Sequence, residues 1–241
     1  MDHRDVRRSI PGWVGSLMRM LGHRTVVGAL SAAVLLVSGC ATMVTGTATW
    51  PGATLERVLL TKSDFPSGVQ YDRIIETPGQ PDGAGGPGSM LSRPDGCANA
   101  LTNVIAKTAE RGPGSAAKYA AAYDGARMVM TVLSWNLELD ELKAVAQRCA
   151  KFEAFFDPSA EGIPITTTEL PGAGPGALAY QQTMDLNGNP SSVYMVFQNV
   201  GKLGLVGIAF PTPDPGVSVK ASLPQTFLEV AAKQAERMGA T

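Results

Sequence analysis

Residues 116–135 read AAKYAAAYDGARMVMTVLSW, and this stretch decides the fold. Ala116–Tyr123 and Arg127–Trp135 are strand-like, and Asp124-Gly125 between them is typical of a tight hairpin turn. The apolar residues of the second segment fall on both of its faces, with Met128, Met130 and Val132 on one and Val129, Leu133 and Trp135 on the other. We therefore expect a central strand that is covered on both sides.

Further helices and strands are predicted on either side of this hairpin. The predicted helices are Cys97–Arg111, Glu138–Phe155 and Leu223–Met238, and the predicted strands are Val69–Glu76, Ile165–Leu170, Ala177–Met184, Val193–Val200 and Leu203–Phe210. Thr77–Asp95 is rich in proline and glycine and is predicted to be a mobile surface loop. This order favours an α+β fold, a twisted and mostly antiparallel sheet with about three packed helices in a single domain.

The N-terminal region has the pattern of an export signal. Val26–Cys40 reads VVGALSAAVLLVSGC and follows basic residues at positions 19 and 24. A basic segment, a short apolar run and small residues at the cleavage site define a secretory signal. The twelve residues 26–37 reach only ~18 Å as a helix, which is short of a ~30 Å hydrocarbon core. We therefore predict a removed signal peptide rather than a permanent membrane span.

The last four residues of this run, Val37-Ser38-Gly39-Cys40, resemble the lipobox of bacterial lipoproteins. The resemblance implies that Cys40 is acylated, becomes the first residue and anchors the protein at the extracytoplasmic face of the cell membrane. The predicted organisation is a signal peptide over residues 1–39, a lipidated N-terminus and flexible tether over 40–54, and the domain over 55–241. An ordinary signal peptide with a chance cysteine is the alternative, and Met18 or Met20 is a more typical start than Met1.

Removal of the signal peptide changes the charge balance. Residues 1–39 hold five of the 20 basic and two of the 21 acidic residues, so the remaining chain has a net charge of −4. This balance favours neither nucleic acid nor anionic lipid as an electrostatic partner. The predicted membrane contact is the acyl anchor at Cys40 alone.

Histidine is absent from the predicted mature chain, because His3 and His23 both lie in the signal peptide. This excludes histidine-dependent catalysis and histidine metal ligation after processing. We predict no catalytic residues, no metal site and no cofactor. The alternative enzyme is a hydrolase or transferase that uses serine or carboxylates without histidine.

Two cysteines remain once Cys40 is acylated. Cys97 and Cys149 form an even pair in an exported chain, and such pairs are typically oxidised to a disulfide. A two-cysteine metal site is the alternative, although no further thiol or imidazole is present to complete it.

The helix that holds Cys97, the hairpin quoted above and the helix ELDELKAVAQRC at residues 138–149 together resemble a known family. The late run ALAYQQTMDLNGNPSSVYMVFQNVGKLGLVGIAF, residues 177–210, fits it as well. They are similar to the PknH-type extracellular sensor domains of mycobacterial receptor kinases, a fold shared by actinobacterial lipoproteins. The resemblance covers about Leu55–Met238 and implies an antiparallel sheet with helices and a ligand cleft. The family keeps two disulfides, whereas this chain can form one. We also identify no kinase region in this sequence.

Four residues are candidate ligand contacts. Tyr123, Trp135 and Tyr180 lie on or beside predicted strands, and rings of this kind suit lipid, glycan or peptide binding. Arg127, beside the hairpin turn, is a candidate for holding an anionic group. Packing in the core remains the alternative for the rings. The functional hypothesis is a non-enzymatic, sensor-like module for a small ligand or an envelope protein, and the further alternative is a structural partner of another envelope protein.

Overall fold

The computed structural model describes residues 52–75, 90–108, 112, 114–186, 188–212 and 223–240. The predicted signal peptide, Cys40 and most of the predicted tether lie outside the described residues. Contacts divide the chain into residues 1–48 and 49–241, and the fold described here belongs to the second unit.

Four α-helices, one short 3-10 helix (Lys62–Asp64) and nine strands occur in the described residues. The helices are α1 (Ala53–Arg57), α2 (Ala100–Thr108), α3 (Leu139–Arg148) and α4 (Leu223–Gly239). The strands are β1 (Gln70–Ile74), β2 (Leu91–Arg93), β3 (Ala116–Tyr123), β4 (Ala126–Leu133), β5 (Lys151–Phe155), β6 (Ile163–Glu169), β7 (Ala177–Leu186), β8 (Asn189–Val200) and β9 (Leu203–Pro211). They form one antiparallel sheet in the order β1-β3-β4-β9-β8-β7-β6-β5-β2, which confirms the predicted α+β class. Helix α1 begins inside the predicted tether, and Ala53 is already buried.

The β3–β4 hairpin forms as predicted, with Tyr123 paired to Ala126. Asp124 and Gly125 have φ values of 51° and 74°, as a two-residue turn of this kind requires. The Asp124 carboxylate is buried and accepts a hydrogen bond of 2.6 Å from the hydroxyl of Thr226, in the first turns of α4. The turn that closes the hairpin therefore also holds α4 in place.

Helix α4 covers one face of the sheet. The α4 core, as we name it, contains Leu55, Leu59, Tyr119, Met128, Met130, Val132, Val196, Leu205, Phe227, Val230 and Met238. Gly207 of β9 lies directly under the helix, where a Cβ would be 2.6 Å from Val196 Cγ1 and 3.2 Å from Phe227 Cε2. Glycine at this position therefore lets α4 approach the strands closely.

Helices α2 and α3 cover part of the opposite face. The disulfide core contains Cys97, Leu101, Val104, Leu133, Leu142, Val145, Cys149, Phe152, Tyr180, Phe197 and Val206. Cys97 and Cys149 form the predicted disulfide, with their Cα atoms 5.5 Å apart and both residues buried. A cross-link over 52 positions stabilises the fold by about 4 kcal/mol in the chain-entropy model. Since β4 contributes to both cores, it is the expected strand with two apolar faces.

The predicted helix Glu138–Phe155 is too long. Helix α3 ends at Arg148, and residues 151–155 form strand β5, which pairs with β6 on one side and β2 on the other. The sequence KFEAF alternates polar and apolar residues, and its burial follows that alternation until Phe155. Phe156, which the helical pattern predicts to be buried, is 72% exposed.

The predicted loop Thr77–Asp95 is also partly wrong. Residues 77–89 lie outside the described part of the chain, but Leu91–Arg93 form strand β2 and pair with β5. Strands β1 and β2, which follow each other in sequence, lie at opposite edges of the sheet.

A buried glutamine fastens the N-terminal segment to α4. Gln234 has no exposed surface; its Oε1 accepts a 3.0 Å hydrogen bond from the Leu60 amide, and its Nε2 donates one of 2.8 Å to the Val58 carbonyl. Nearby, Asp64 accepts from the Thr61 amide and pairs with Arg237 at 2.6 Å. The Thr61 hydrogen bond, with a smaller contribution from Arg237, lowers the pKa of Asp64.

We predict that Gln234→Met destabilises the domain by about 3 kcal/mol. The substitution conserves the volume but leaves the Leu60 amide and the Val58 carbonyl buried without partners, at about 1–3 kcal/mol each. Gln225, exposed on the same helix, is the matched control, and Gln225→Met is expected to change stability by less than about 0.5 kcal/mol. Urea unfolding measures both, and equal effects of the two substitutions would contradict the fastening role.

Candidate functional site

Helices α2 and α3 leave one end of their sheet face open. On β4, Arg127 and Val129 point to the same face as Leu133 of the disulfide core, because side chains alternate along a strand. The neighbouring strand β9 places Phe210 beside Arg127 and Ile208 beside Val129. The sheet therefore presents apolar side chains and one arginine beyond the helices.

The open end extends over β7 and β8. Met184 and Leu186 lie an even number of residues after the buried Tyr180, and Val193 lies four residues before Phe197, so all three face the side of the disulfide core. We name this surface the open patch; it consists of Arg127, Val129, Met184, Leu186, Val193, Ile208 and Phe210. Leu186 is 45% exposed and Phe210 43% exposed. Exposed apolar side chains beside an arginine make this surface the strongest binding candidate among the described residues.

Arg127 is the charged group of the open patch. Its side chain is exposed, and the salt bridges among the described residues involve other cations, namely Arg73, Arg93, Lys107 and Arg237. The guanidinium of Arg127 is thus available to an external anion. A planar guanidinium binds carboxylate or phosphate through two parallel hydrogen bonds.

Trp135 lies at the other end of β4, against the disulfide core. The indole Nε1 is buried and has no hydrogen-bond partner among the described residues. The loop that carries Trp135 is held by Asn199, whose Oδ1 accepts from the Leu137 amide at 2.8 Å and whose Nδ2 donates to the Leu137 carbonyl at 2.9 Å. A Cβ on Gly204 would lie 2.6 Å from the Trp135 carbonyl oxygen, so the loop and β9 touch through backbone atoms.

The three predicted ligand contacts whose side chains are described, Arg127, Trp135 and Tyr180, do not meet in one groove. Arg127 and Trp135 lie eight residues apart along the chain, about 26 Å at strand spacing. Tyr180 is only 3% exposed, its ring centroid is 6.4 Å from that of Phe197, and burial, with a smaller contribution from Glu169, raises the pKa of its phenol. Tyr123 pairs with Ala126 through the backbone, and its side chain lies outside the described atoms. Of the three with described side chains, Arg127 alone belongs to the open patch.

Phe210 and Leu186 were missed as candidate contacts. Their positions in the strand alternation were readable from the sequence, since each shares a face with apolar residues of its own strand. Whether that face is covered depends on where α2 and α3 lie on the sheet, and the sequence of β7 or β9 alone does not predict this. Their exposure is therefore a property of the assembled sheet.

A second surface feature lies at the β2 edge. A wide depression of about 410 Å³ is lined by Arg93, Lys151, Glu153, Thr166 and neighbouring residues of β5 and β6. Arg93 pairs with Glu153 at 3.4 Å and lies 5.4 Å above the Phe155 ring. Because its arginine already has partners and the Glu153 carboxylate offsets the charge of Lys151, this depression is a weaker candidate for anion binding than the open patch.

The described residues contain no cluster of three or more side chains suited to holding a metal ion. No helix in the described part of the chain has the length and apolar character needed to cross a bilayer.

Comparisons with known proteins found similar solved structures. No protein-family model and no curated protein matches the chain. An uncharacterized Mycobacterium smegmatis protein described as the Rv0999 orthologue is 15% identical, with a TM-score of 0.44 over 73% of this chain and 92% of its own. The extracellular domain of PknH from Mycobacterium tuberculosis is 12% identical, with a TM-score of 0.48 over 81% of this chain and all of its own.

We predict that Gly204→Ala destabilises the protein by about 1–3 kcal/mol, because a methyl group there must displace the Trp135 carbonyl. Gly112 has open space around its Cβ position, so Gly112→Ala is the control and should be close to neutral. Chemical unfolding in a Trp50→Phe background, followed by Trp135 fluorescence, measures both changes. A Gly204→Ala protein as stable as the control would refute the backbone contact.

Proposed function

We propose that this chain is a cell-envelope lipoprotein that acts as a non-enzymatic binding module. Acylated Cys40 would hold the domain at the extracytoplasmic face of the cell membrane, and the open patch would bind a small ligand or an envelope protein. The observation that carries the binding function is the position of Arg127 beside Phe210 on adjacent strands. Arg127 forms no salt bridge among the described residues, and the Phe210 ring is exposed.

Two features support this location. The run from Val26 to Cys40 has the charge, length and small residues of a lipoprotein signal. The Cys97–Cys149 disulfide joins two elements of the core, and structural disulfides of this kind persist in oxidising compartments outside the cytoplasm.

The residues that follow Cys40 support a binding role over catalysis. They include no histidine, the commonest general acid and base. The open patch offers apolar side chains and a permanently charged guanidinium, which bind and orient a ligand but do not transfer protons at neutral pH. Recognition is the chemistry that this surface supplies.

We predict that Cys40→Ser abolishes acylation and processing. Serine has no thiol to receive a diacylglyceryl group, so the precursor should keep residues 1–39 and fail to incorporate radiolabelled palmitate. Intact-mass measurement and labelling test this directly. Normal maturation of the Cys40→Ser chain would rule out the anchor, while leaving the binding surface to be tested separately.

A photo-crosslinking amino acid at position 210 tests the binding surface in the living cell. We predict that it captures a discrete adduct, identified by intact mass and peptide mapping, because position 210 lies in the open patch. Phe156 is the matched control, since it is an even more exposed phenylalanine on strand β5's end, outside the patch. Equal adducts at both positions, or none at 210, would contradict a binding module.

A further inference from the structure

We infer that the occupant of the open patch is a free, single-chain anionic amphiphile such as a fatty acid, with its carboxylate at Arg127. This inference rests on the proposed binding function and names the ligand class. It follows from the arrangement of charge, from the size of the apolar surface and from the point where the chain joins the domain.

The charge lies at one border of the patch and the apolar surface extends away from it. Arg127 is on β4, Ile208 and Phe210 are on β9, and Val193 is on β8. On β7, Gln182 lies opposite Val193, and Met184 and Leu186 follow it on the same face. Three strand spacings of ~4.8 Å separate β4 from β7, about 14 Å in all. A ligand with one anionic end and a long alkyl chain matches this linear order.

The apolar surface is small for a protein partner. Leu186 and Phe210 are each less than half exposed, and Val129, Met184, Val193 and Ile208 are mostly buried. A standard protein interface needs ~800 Å² from each partner. One alkyl chain needs much less, so the patch fits a single chain better than a protein surface.

The chain joins the domain at the end of β3 that is opposite the open patch. Gly52, the first described residue, is packed against Gly114, where an added Cβ would lie 2.8 Å from the Gly114 Cα. Gly114 precedes β3, whereas Arg127 follows the turn at the far end of β3. The eight residues of β3 span about 26 Å. The open patch therefore lies about one strand length from the point where the chain joins the domain.

The test uses the processed, lipidated protein in phosphatidylcholine vesicles with a diazirine-bearing fatty acid. We expect saturable labelling of peptides that contain residues 184–193 or 208–210, with competition by laurate and none by acetate. Arg127→Gln should reduce labelling at a subsaturating concentration at least fivefold. Lys202→Gln, which removes an exposed cation at the β8–β9 turn, should leave labelling unchanged.

Charge reversal makes the assignment sharper. Arg127→Glu should lose labelling by the fatty acid and gain labelling by a quaternary ammonium probe of the same chain length. Circular dichroism of each variant shows whether it is folded. Because Arg127 lies on the surface, its substitution is expected to leave the fold intact, so a change in probe preference would reflect ligand binding.

Three results would overturn the inference. Equal labelling by a diazirine phosphatidylglycerol placed in the vesicles would identify the bilayer as the occupant. Equal labelling of the wild-type and Arg127→Gln proteins would show that Arg127 does not bind the carboxylate of the ligand. Absence of fatty-acid labelling together with a position-210 adduct in cells would leave the binding module intact with a ligand of another class, whereas absence of both would defeat the proposed function itself.

Discussion

Strand β4 contributes apolar side chains to both faces of the sheet, and the helices of the domain pack against those two faces. Its residues Met128, Met130 and Val132 enter the α4 core, while Leu133 enters the disulfide core. On the first face, Gly207 lets a long helix lie close against the strands. On the second, two shorter helices, linked by one disulfide, cover only the end near Leu133. The uncovered remainder of that face is the candidate binding surface, so site and fold have the same physical origin.

The residues of the turn made the hairpin predictable from the sequence. Residues 149–156 carry no such local signal, and this explains why strand β5 was predicted as part of a helix. Asp124-Gly125 specifies a turn by itself, because both residues tolerate positive φ, and the flanking strands follow. Residues 149–156 carry apolar side chains at spacings that suit a helix and also at alternate positions. The choice between them depends on pairing with β6 and β2, which are distant in sequence. Strand β2 was missed for the same reason, since only its partner β5 makes those three residues a strand.

The candidate site was predictable in part. Arg127 was identified because a charged residue interrupts an otherwise apolar strand beside a turn, which is visible in the sequence. The rings of Trp135 and Tyr180 were equally visible, but a ring at a buried strand position has the same sequence pattern as one that lines a groove. Tyr180 packs on Phe197, and Trp135 packs on the disulfide core. Phe210 and Leu186 show the converse, since their exposure depends on the length of helices elsewhere.

The hydrogen bonds that Gln234 makes with the Leu60 amide and the Val58 carbonyl join positions 174 and 176 residues apart, respectively. During synthesis, these two hydrogen bonds cannot form until nearly the whole polypeptide has left the ribosome. Domain closure is thus a late event. For the export proposed above, this delay would keep the polypeptide open to a translocation channel that accepts unfolded chains.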